Sequence, residues 1–232
     1  MTDDTFTGEV SALPALPDAF TDTRASLHLV AARVLGAARH EAVGRMGLVV
    51  VAGGFGTPEF DGRRLLVVDG MLSDGTRRQP ITTLLDACSF AGIDPAVTSH
   101  PVLDLPADPS APLTVDTAAA RLLGRWFAFC QSALESVLAA TGPTDQPSTI
   151  QLWPEHFDVA LDMGPPGLRA NFGGSPGDAD IDQPYLYVGP HDRREGPYWN
   201  APFGAALTYG EIRRGTDPAA FFRQGRESLR HP

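Results

Sequence analysis

The strongest constraint on the fold is a long amphipathic stretch between Asp116 and Gly142. Apolar side chains recur along it at intervals of three and four residues, the spacing of one face of an α-helix. They are Leu122, Leu123, Trp126, Phe127, Cys130, Leu134, Val137 and Leu138. Asp116 is a suitable N-cap, and Gly142-Pro143 ends the pattern. Because so wide a stripe must be buried against another layer, the sequence predicts a helix over 116–141 that packs across a sheet.

A second amphipathic stretch predicts a helix over 22–44, with Asp22 or Thr23 as its N-cap. Its apolar stripe consists of Leu27, Val30, Ala31, Val34, Leu35 and Ala38. Residues 1–21 are acidic, contain two prolines and lack periodicity, so we expect them to form an extended tail. The rest of the chain, 22–232, is expected to form a single domain.

The longest strand-like stretch runs from Ser148 to Asp162. From His156 onward polar and apolar residues alternate, as in a half-buried strand. Before Pro154 the alternation has the opposite phase, so we expect a bulge or bend near Trp153-Pro154 that redirects the side chains around it. One face would carry Phe157, Val159 and Leu161, and the other His156, Asp158 and Asp162.

The remaining elements indicate the fold class. A short helix is expected over 84–91, and a capping box at Thr208 and Glu211 and an Asp217-Pro218 start predict two short C-terminal helices. Further strands are predicted over 46–52, 64–68, 76–79, 100–105, 169–174, 185–189 and 198–203. Because helices and strands arrive partly in blocks, we predict an α+β fold: a mostly antiparallel, curved sheet covered on one face by the two long helices.

Composition and charge exclude several functions. All 18 basic residues are arginine, so chemistry that needs a Schiff-base or P-loop lysine is excluded. A net charge of −10 without a basic run disfavours nucleic acid and anionic membrane surfaces as partners. Cys88 and Cys130 lie singly in apolar segments, as buried thiols of a reducing compartment do. Acidic residues near the N-terminus and the lack of a long apolar run lead us to expect a cytoplasmic protein.

Three motif-like segments fail the tests for known sites. The glycines at 53–56 follow a predicted strand but match neither phosphate-binding spacing. Alternating aspartates at 178–182 resemble the opening of a calcium loop, but Gln183 and Gly189 stand where glycine and glutamate are required. This excludes an EF-hand and leaves a looser oxygen-ligand site open. Ser175 lies in Gly-Gly-Ser-Pro-Gly, where Pro176 prevents the helix of a nucleophile elbow.

Candidate site residues cluster in and after the stretch 148–162. If His156 and Asp158 lie two apart on one strand, their Cβ atoms are about 6.5 to 7 Å apart and can face one ligand, water or metal. The catalytic candidates are therefore His156, as general base or ligand, Asp158, which would orient it, and Glu155. The ligand-binding candidates are His28, Trp153, Tyr187, Trp199 and Asn200. The alternative interpretations are an exposed polar sheet face and an aromatic core, and no motif identifies a cofactor or metal.

Several landmarks occur in an order similar to that of a family of uncharacterised bacterial proteins that carry a domain of unknown function. They are Ser26 to His28, Trp153-Pro154 with Phe157 to Ala160, Tyr185 to Tyr187 before Gly189-Pro190, and the residue before Ala201 with Tyr209 to Ile212. The resemblance implies a single bacterial domain and no particular chemistry.

Two functions are consistent with these patterns. The first is a small-molecule-binding domain, with or without catalysis, in which the candidate residues line one pocket. The second is a non-catalytic module that meets a protein partner through an aromatic surface. An enclosed cluster of acids and histidines would favour the first, and a flat exposed aromatic patch the second.

Overall fold

Across residues 13–96 and 100–230, which the computed structural model describes, the chain forms two antiparallel five-stranded sheets together with helices. The first sheet contains, in chain order, β1 Val49–Val51, β2 Gly54–Gly56, β3 Leu66–Val68, β4 Met71–Ser73 and β5 Arg78–Pro80. The second contains β6 Gln151–Trp153, β7 Asp158–Met163, β8 Ala170–Ser175, β9 Tyr185–Pro190 and β10 Ala205–Thr208, again paired in chain order. The predicted α+β class and antiparallel pairing are confirmed, but the strands form two sheets where one was expected.

Tight turns with glycine at positive φ make three of the four connections in the first sheet, and a longer segment over 57–65 joins β2 to β3. Asp69 and Gly70, at φ of 53° and 77°, form a two-residue turn between β3 and β4. The predicted turn at Asp74-Gly75 joins β4 to β5, and the Asp74 carboxylate accepts N–H bonds from Thr76 and Arg77. One isolated bridge between Leu48 and Leu152 links the edge of this sheet to β6. The two sheets therefore meet edge to edge.

The first long helix consists of three segments: α1 Phe20–Val30, a π-helical segment Ala31–Gly36, and α2 Ala37–Val43. Gly44 ends it in the left-handed conformation, at φ of 68°. The helix begins two residues earlier than predicted, and neither Asp22 nor Thr23 caps it. The Thr23 hydroxyl instead accepts the N–H of Asp116, so it connects the starts of both long helices. Residues 1–12 of the predicted tail lie outside the described residues.

The second long helix contacts both sheets. After α3 Leu84–Ala91, α4 Thr117–Ala139 begins at Asp116, whose carboxylate accepts the N–H of Ala119 as predicted. Gly124 lies against the backbone of Gly53 and Gly54 in the first sheet, and Cys130 lies against Gly174 in the second. The stripe predicted for this helix is buried apart from Leu138, which is half-buried. The C-terminal helices are α5 Tyr209–Arg213, with the predicted capping box, and α6 Pro218–Ser228.

Two predicted strands are wrong. Residues 100–105 contain a single 3-10 turn, Pro101–Leu103, which the His100 ring caps by accepting the N–H of Val102. Residues 198–203 form turns, in which Ala201 makes only an isolated bridge to Gly204. Local bonds of this kind offer the backbone an alternative to a sheet ladder.

Among the described residues, no helix has both the length and the apolar character needed to span a bilayer.

Candidate functional site

The stretch 148–162 is a β-hairpin rather than one bent strand. Strands β6 and β7 pair with Trp153 opposite Asp158, and residues 154–157 form the turn between them. Phe157 closes this turn in the left-handed region at φ of 57°, and its N–H donates to the Trp153 carbonyl at 2.7 Å. The change of phase in the sequence pattern therefore marks a hairpin turn, at which the chain reverses its direction. It places Glu155 and His156 on a projecting turn beside the second sheet.

The two faces of the second sheet have different compositions. Val159, Leu161, Phe172, Leu186 and Val188 are fully buried on the face that packs toward α4. The pairing register brings polar side chains to the other face, namely Asp158 and Asp162 on β7, Asn171 and Ser175 on β8, and Tyr185 and Tyr187 on β9. The sheet therefore offers one polar face that the long helix does not cover.

A cleft of about 610 Å³ lies over this polar face. Five of the predicted site residues line it together: His28, Glu155, His156, Asp158 and Tyr187. The remaining lining residues are Asn171, Ser175, Asp178, Tyr185, Gly189, Pro190, His191 and Phe203. Residues from α1, the β6–β7 turn, three strands and two loops thus converge on one concave surface.

Asp158 is the most deeply buried acid of the cleft, with 6% of its surface exposed. One carboxylate oxygen accepts a hydrogen bond from the Tyr187 hydroxyl. The other, Oδ1, is buried and has no hydrogen-bond partner among the described residues. Burial raises the pKa of Asp158 to about 6, although the Tyr187 hydrogen bond and the nearby His156 oppose the rise. The carboxyl can therefore gain or lose a proton close to neutral pH.

Tyr187 reaches Asp158 because Gly173 lies between them. Gly173 on β8 pairs with Ala160 on β7 and with Tyr187 on β9, so the tyrosine ring must cross β8 to reach the acid. A Cβ at Gly173 would lie 2.5 Å from Cζ and 2.6 Å from the hydroxyl oxygen of Tyr187. Glycine is therefore needed for the ring to lie flat across the strand. Burial and the neighbouring Asp158 hold the pKa of Tyr187 well above its usual value, so its hydroxyl stays a donor.

Replacing Gly173 with alanine is expected to displace the Tyr187 ring and break its bond to Asp158. Since that bond lowers the pKa of Asp158, the pKa should rise further in Gly173→Ala. Tyr187→Phe is the matched variant, because it removes the same hydroxyl without adding an atom to β8. An NMR titration of the Asp158 side-chain carboxyl measures its pKa in both variants. An unchanged Asp158 pKa in Gly173→Ala would mean that the ring keeps its place and that the steric argument is wrong.

His28 fixes the position of the hairpin turn. Its Nε2 lies 3.2 Å from the Glu155 carbonyl, and its ring stacks on Phe157 with the two planes within 3°. Burial lowers the pKa of His28 below its usual value, which favours the neutral ring at pH 7. About two helical turns later the π-helical segment ends at Gly36, where a Cβ would lie 3.0 Å from Cγ of Pro154. The first helix thus contacts the turn at two positions.

Glu155 and His156 project from this turn in different ways. The Glu155 Oε2 atom is buried and, like Asp158 Oδ1, has no partner among the described residues. His156 is exposed and lies in the turn, so the strand spacing expected between it and Asp158 does not apply. Asp158, which was expected to orient His156, instead accepts the Tyr187 hydroxyl through Oδ2. No hydrogen bond joins His156 to Asp158 among the described residues, and the buried carboxyl of Asp158 contacts Tyr187 instead.

Two other acids on this side of the sheet, Asp162 and Asp178, have protein partners for their carboxylates. Asp162 pairs with Arg169 and, at 2.7 Å, with Nε2 of the cleft residue His191. Asp178 accepts the N–H groups of Asp180 and Ile181 and the hydroxyl of Tyr185. No cluster of three or more His, Cys, Asp or Glu residues capable of holding a metal occurs in the described parts of the chain.

Three predicted ligand-binding residues lie outside the cleft. Asn200 exchanges two hydrogen bonds with the backbone of Ala206, at 3.0 and 2.8 Å, which stabilises the turn before β10. Trp199 packs edge-on against Tyr198 and borders a separate pocket near α6. Trp153 ends β6 and does not line the cleft. Asn171 and Ser175 line the cleft but were not predicted, because only the pairing of β8 with its neighbouring strands brings them there. Phe203, in the turn before β10, also lines the cleft and was not predicted.

Comparison with protein-family models, with curated proteins and with solved structures finds no match for this chain. The fold and the cleft therefore define its class by themselves: an α+β protein with an acid-lined cleft on the polar face of an antiparallel sheet.

Proposed function

We propose that this cleft binds a small polar molecule and that Asp158 exchanges a proton with it. The observation that carries the proposal is the state of the Asp158 carboxyl. It is buried, one oxygen is held by Tyr187, and the other faces no protein partner among the described residues. A buried acceptor without a partner costs about 1 to 3 kcal/mol, and a ligand donor would remove this cost.

The proton-transfer part of the proposal rests on the pKa of Asp158. A general acid or base is most effective when its pKa lies near the working pH, and burial raises the pKa of Asp158 to about 6. At pH 7 the carboxylate form predominates, so Asp158 would act as a base. The Tyr187 hydroxyl would hold the carboxylate in one orientation, because it donates to one of the two carboxylate oxygens and leaves the other without a partner among the described residues.

The cleft fits a small ligand better than a protein surface. Its volume of about 610 Å³ lies within the range of small-molecule pockets, about 300 to 1,000 Å³. Tyr185 is buried, and Tyr198 and Trp199 pack against the hydrophobic core instead of forming a flat exposed patch. These aromatic residues therefore offer no flat exposed patch of the kind that a protein-binding module would use.

We also propose a cytoplasmic setting, because Cys88 and Cys130 are buried free thiols.

A fragment screen by NMR tests this function. We expect fragments that contact the cleft to shift the signals of Tyr187 and Asp158. Asp158→Asn should weaken their binding by about tenfold or more, in line with the loss of a charge-assisted hydrogen bond. Asp61→Asn is the matched control, since Asp61 is exposed in a distant turn and the substitution changes the net charge equally. Fragments that bind wild type, Asp158→Asn and Asp61→Asn alike would contradict the proposal.

A further inference from the structure

We infer that the ligand of this cleft is a small organic cation with N–H donors, of the primary amine or amidine type. The inference rests on the proposed function, since it names the class of molecule that the same cleft takes. Three properties of the lining lead to it: its charge, its unpartnered oxygens and its aromatic surfaces.

The charge of the lining favours a cation. Glu155, Asp158 and Asp178 contribute three carboxyl groups, and no arginine is among the residues that line the cleft. The adjoining groove contains Arg24, but this guanidinium is paired at 3.1 Å with Asp182. Burial favours the neutral ring of His28. An anionic ligand would therefore meet uncompensated negative charge, whereas a cation would be attracted into a partly desolvated site.

The unpartnered oxygens select a cation that has N–H groups. Asp158 Oδ1 and Glu155 Oε2 are both buried, and neither accepts a hydrogen bond from a described residue. An ammonium or amidinium group presents several donors and can satisfy acceptors on two side chains at once. A quaternary ammonium has no N–H and would leave both oxygens unsatisfied. No group of metal-ligating side chains forms in the described residues, so a bare metal ion is a poorer occupant.

The aromatic surfaces suit the rest of such a molecule. The Tyr185 and Phe203 rings stack at 5.9 Å, and Phe203 meets Tyr187 edge-on at 6.3 Å. These rings are part of the lining that also contains the acids. A ring face stabilises a nearby cation by about 0.5 to 2 kcal/mol and also packs against an apolar stem. The cleft therefore matches an ammonium group carried on a short aliphatic or aromatic stem.

Three probes of matched shape test the inference: phenethylamine, 2-phenylethanol and 3-phenylpropionate, which carry an ammonium, a hydroxyl and a carboxylate on the same stem. We expect calorimetric titration at pH 7 and physiological salt to show phenethylamine binding about tenfold or more tightly than the alcohol, with no binding of the carboxylate. Glu155→Gln and Asp158→Asn should each weaken phenethylamine binding by about tenfold. Asp61→Asn should leave its affinity unchanged.

The outcomes separate this inference from the proposed function. If the alcohol or the carboxylate binds as tightly as the amine, and Asp158→Asn weakens that binding, the inference of a cationic ligand is wrong. The proposal that the cleft binds a small molecule at Asp158 would then still hold. If the amine binds wild type, Asp158→Asn and Asp61→Asn equally, it follows the overall charge of −10 and the inference is overturned. If none of the three probes binds at millimolar concentration, and a broad fragment screen also finds no cleft ligand, both proposals fail.

Discussion

Replacing Asp158 with asparagine is expected to stabilise the folded protein at pH 7 by about 3 kcal/mol relative to wild type. Burial raises the pKa of this carboxyl from 3.8 to about 6, so ionisation costs more in the folded chain than in the unfolded chain. A difference of about two pKa units corresponds to about 3 kcal/mol. Asparagine keeps the shape and an acceptor for Tyr187 but carries no charge.

The expected gain depends on pH in a defined direction. The folded protein holds the Asp158 proton more tightly than the unfolded chain, so this group's contribution to stability is complete below about pH 4. It is lost as the pH rises toward about 6, the pKa of the folded state. Urea unfolding of wild type and Asp158→Asn should therefore give similar free energies near pH 4 and diverge between pH 4 and 6.

Asp162→Asn is the matched control, because Asp162 lies on the same face of the same strand. Its carboxylate pairs with Arg169 and forms a hydrogen bond with the His191 ring, so its removal breaks both contacts and is expected to reduce stability at pH 7. The two substitutions should thus have opposite signs although each removes one negative charge. A loss of stability in Asp158→Asn at pH 7 would show that the folded protein compensates the buried charge, and the role of Asp158 as a proton acceptor would lose its basis.

Replacing Gly124 with alanine is expected to destabilise the protein by about 1 to 3 kcal/mol, the range for overpacking of a tight contact. In an isolated helix the same change would gain about 1 kcal/mol. Here an added Cβ would lie 2.6 Å from the Gly53 carbonyl carbon and 2.8 Å from the Gly54 nitrogen. Because both obstacles are backbone atoms of the first sheet, the helix itself has to move away from β2.

Ser136→Ala is the control for this second substitution, since Ser136 is exposed on the same helix. Its hydroxyl bonds only to the Ser132 carbonyl, and we expect a change within about 0.5 kcal/mol. Urea unfolding monitored by circular dichroism measures both variants. Equal stability of Gly124→Ala and wild type would mean that α4 can shift without cost, and that the close approach to β2 does not hold the helix.

The fold was predictable for elements whose structure is determined by residues within the element itself. The apolar stripe of α4 and its Asp116 cap follow from residues within the helix, and both are observed. The hairpin at 154–157 was misread because a bulge and a reversal produce the same change of phase in the sequence. The division into two sheets depends on where β1 and β6 meet, at Leu48 and Leu152, and no local pattern encodes this pairing.

The residues of the candidate site were predictable only in part, and their arrangement was not. His28, Glu155, His156, Asp158 and Tyr187 share the cleft as expected. The bond between Tyr187 and Asp158 requires the register of three strands and the absence of a side chain at Gly173, so it could not be derived from spacing along one strand. The prediction that Asn200 binds a ligand failed because its side chain bonds to the backbone of Ala206. A sequence alone does not distinguish an asparagine that lines a pocket from one that stabilises a turn. Membership of the uncharacterised bacterial family stays a prediction.

The double attachment of the β6–β7 turn to the first helix has a consequence for ligand traffic. The turn is held by His28 at the Glu155 carbonyl and by close packing of Gly36 against Pro154, so it cannot swing as a lid without distorting the helix. Asn171 and His191 are exposed lining residues that do not belong to the turn, so we expect a ligand to reach the cleft without displacing the turn. Binding that requires no movement of the turn predicts fast association that no conformational step limits, so that differences in affinity would arise mainly from the dissociation rate.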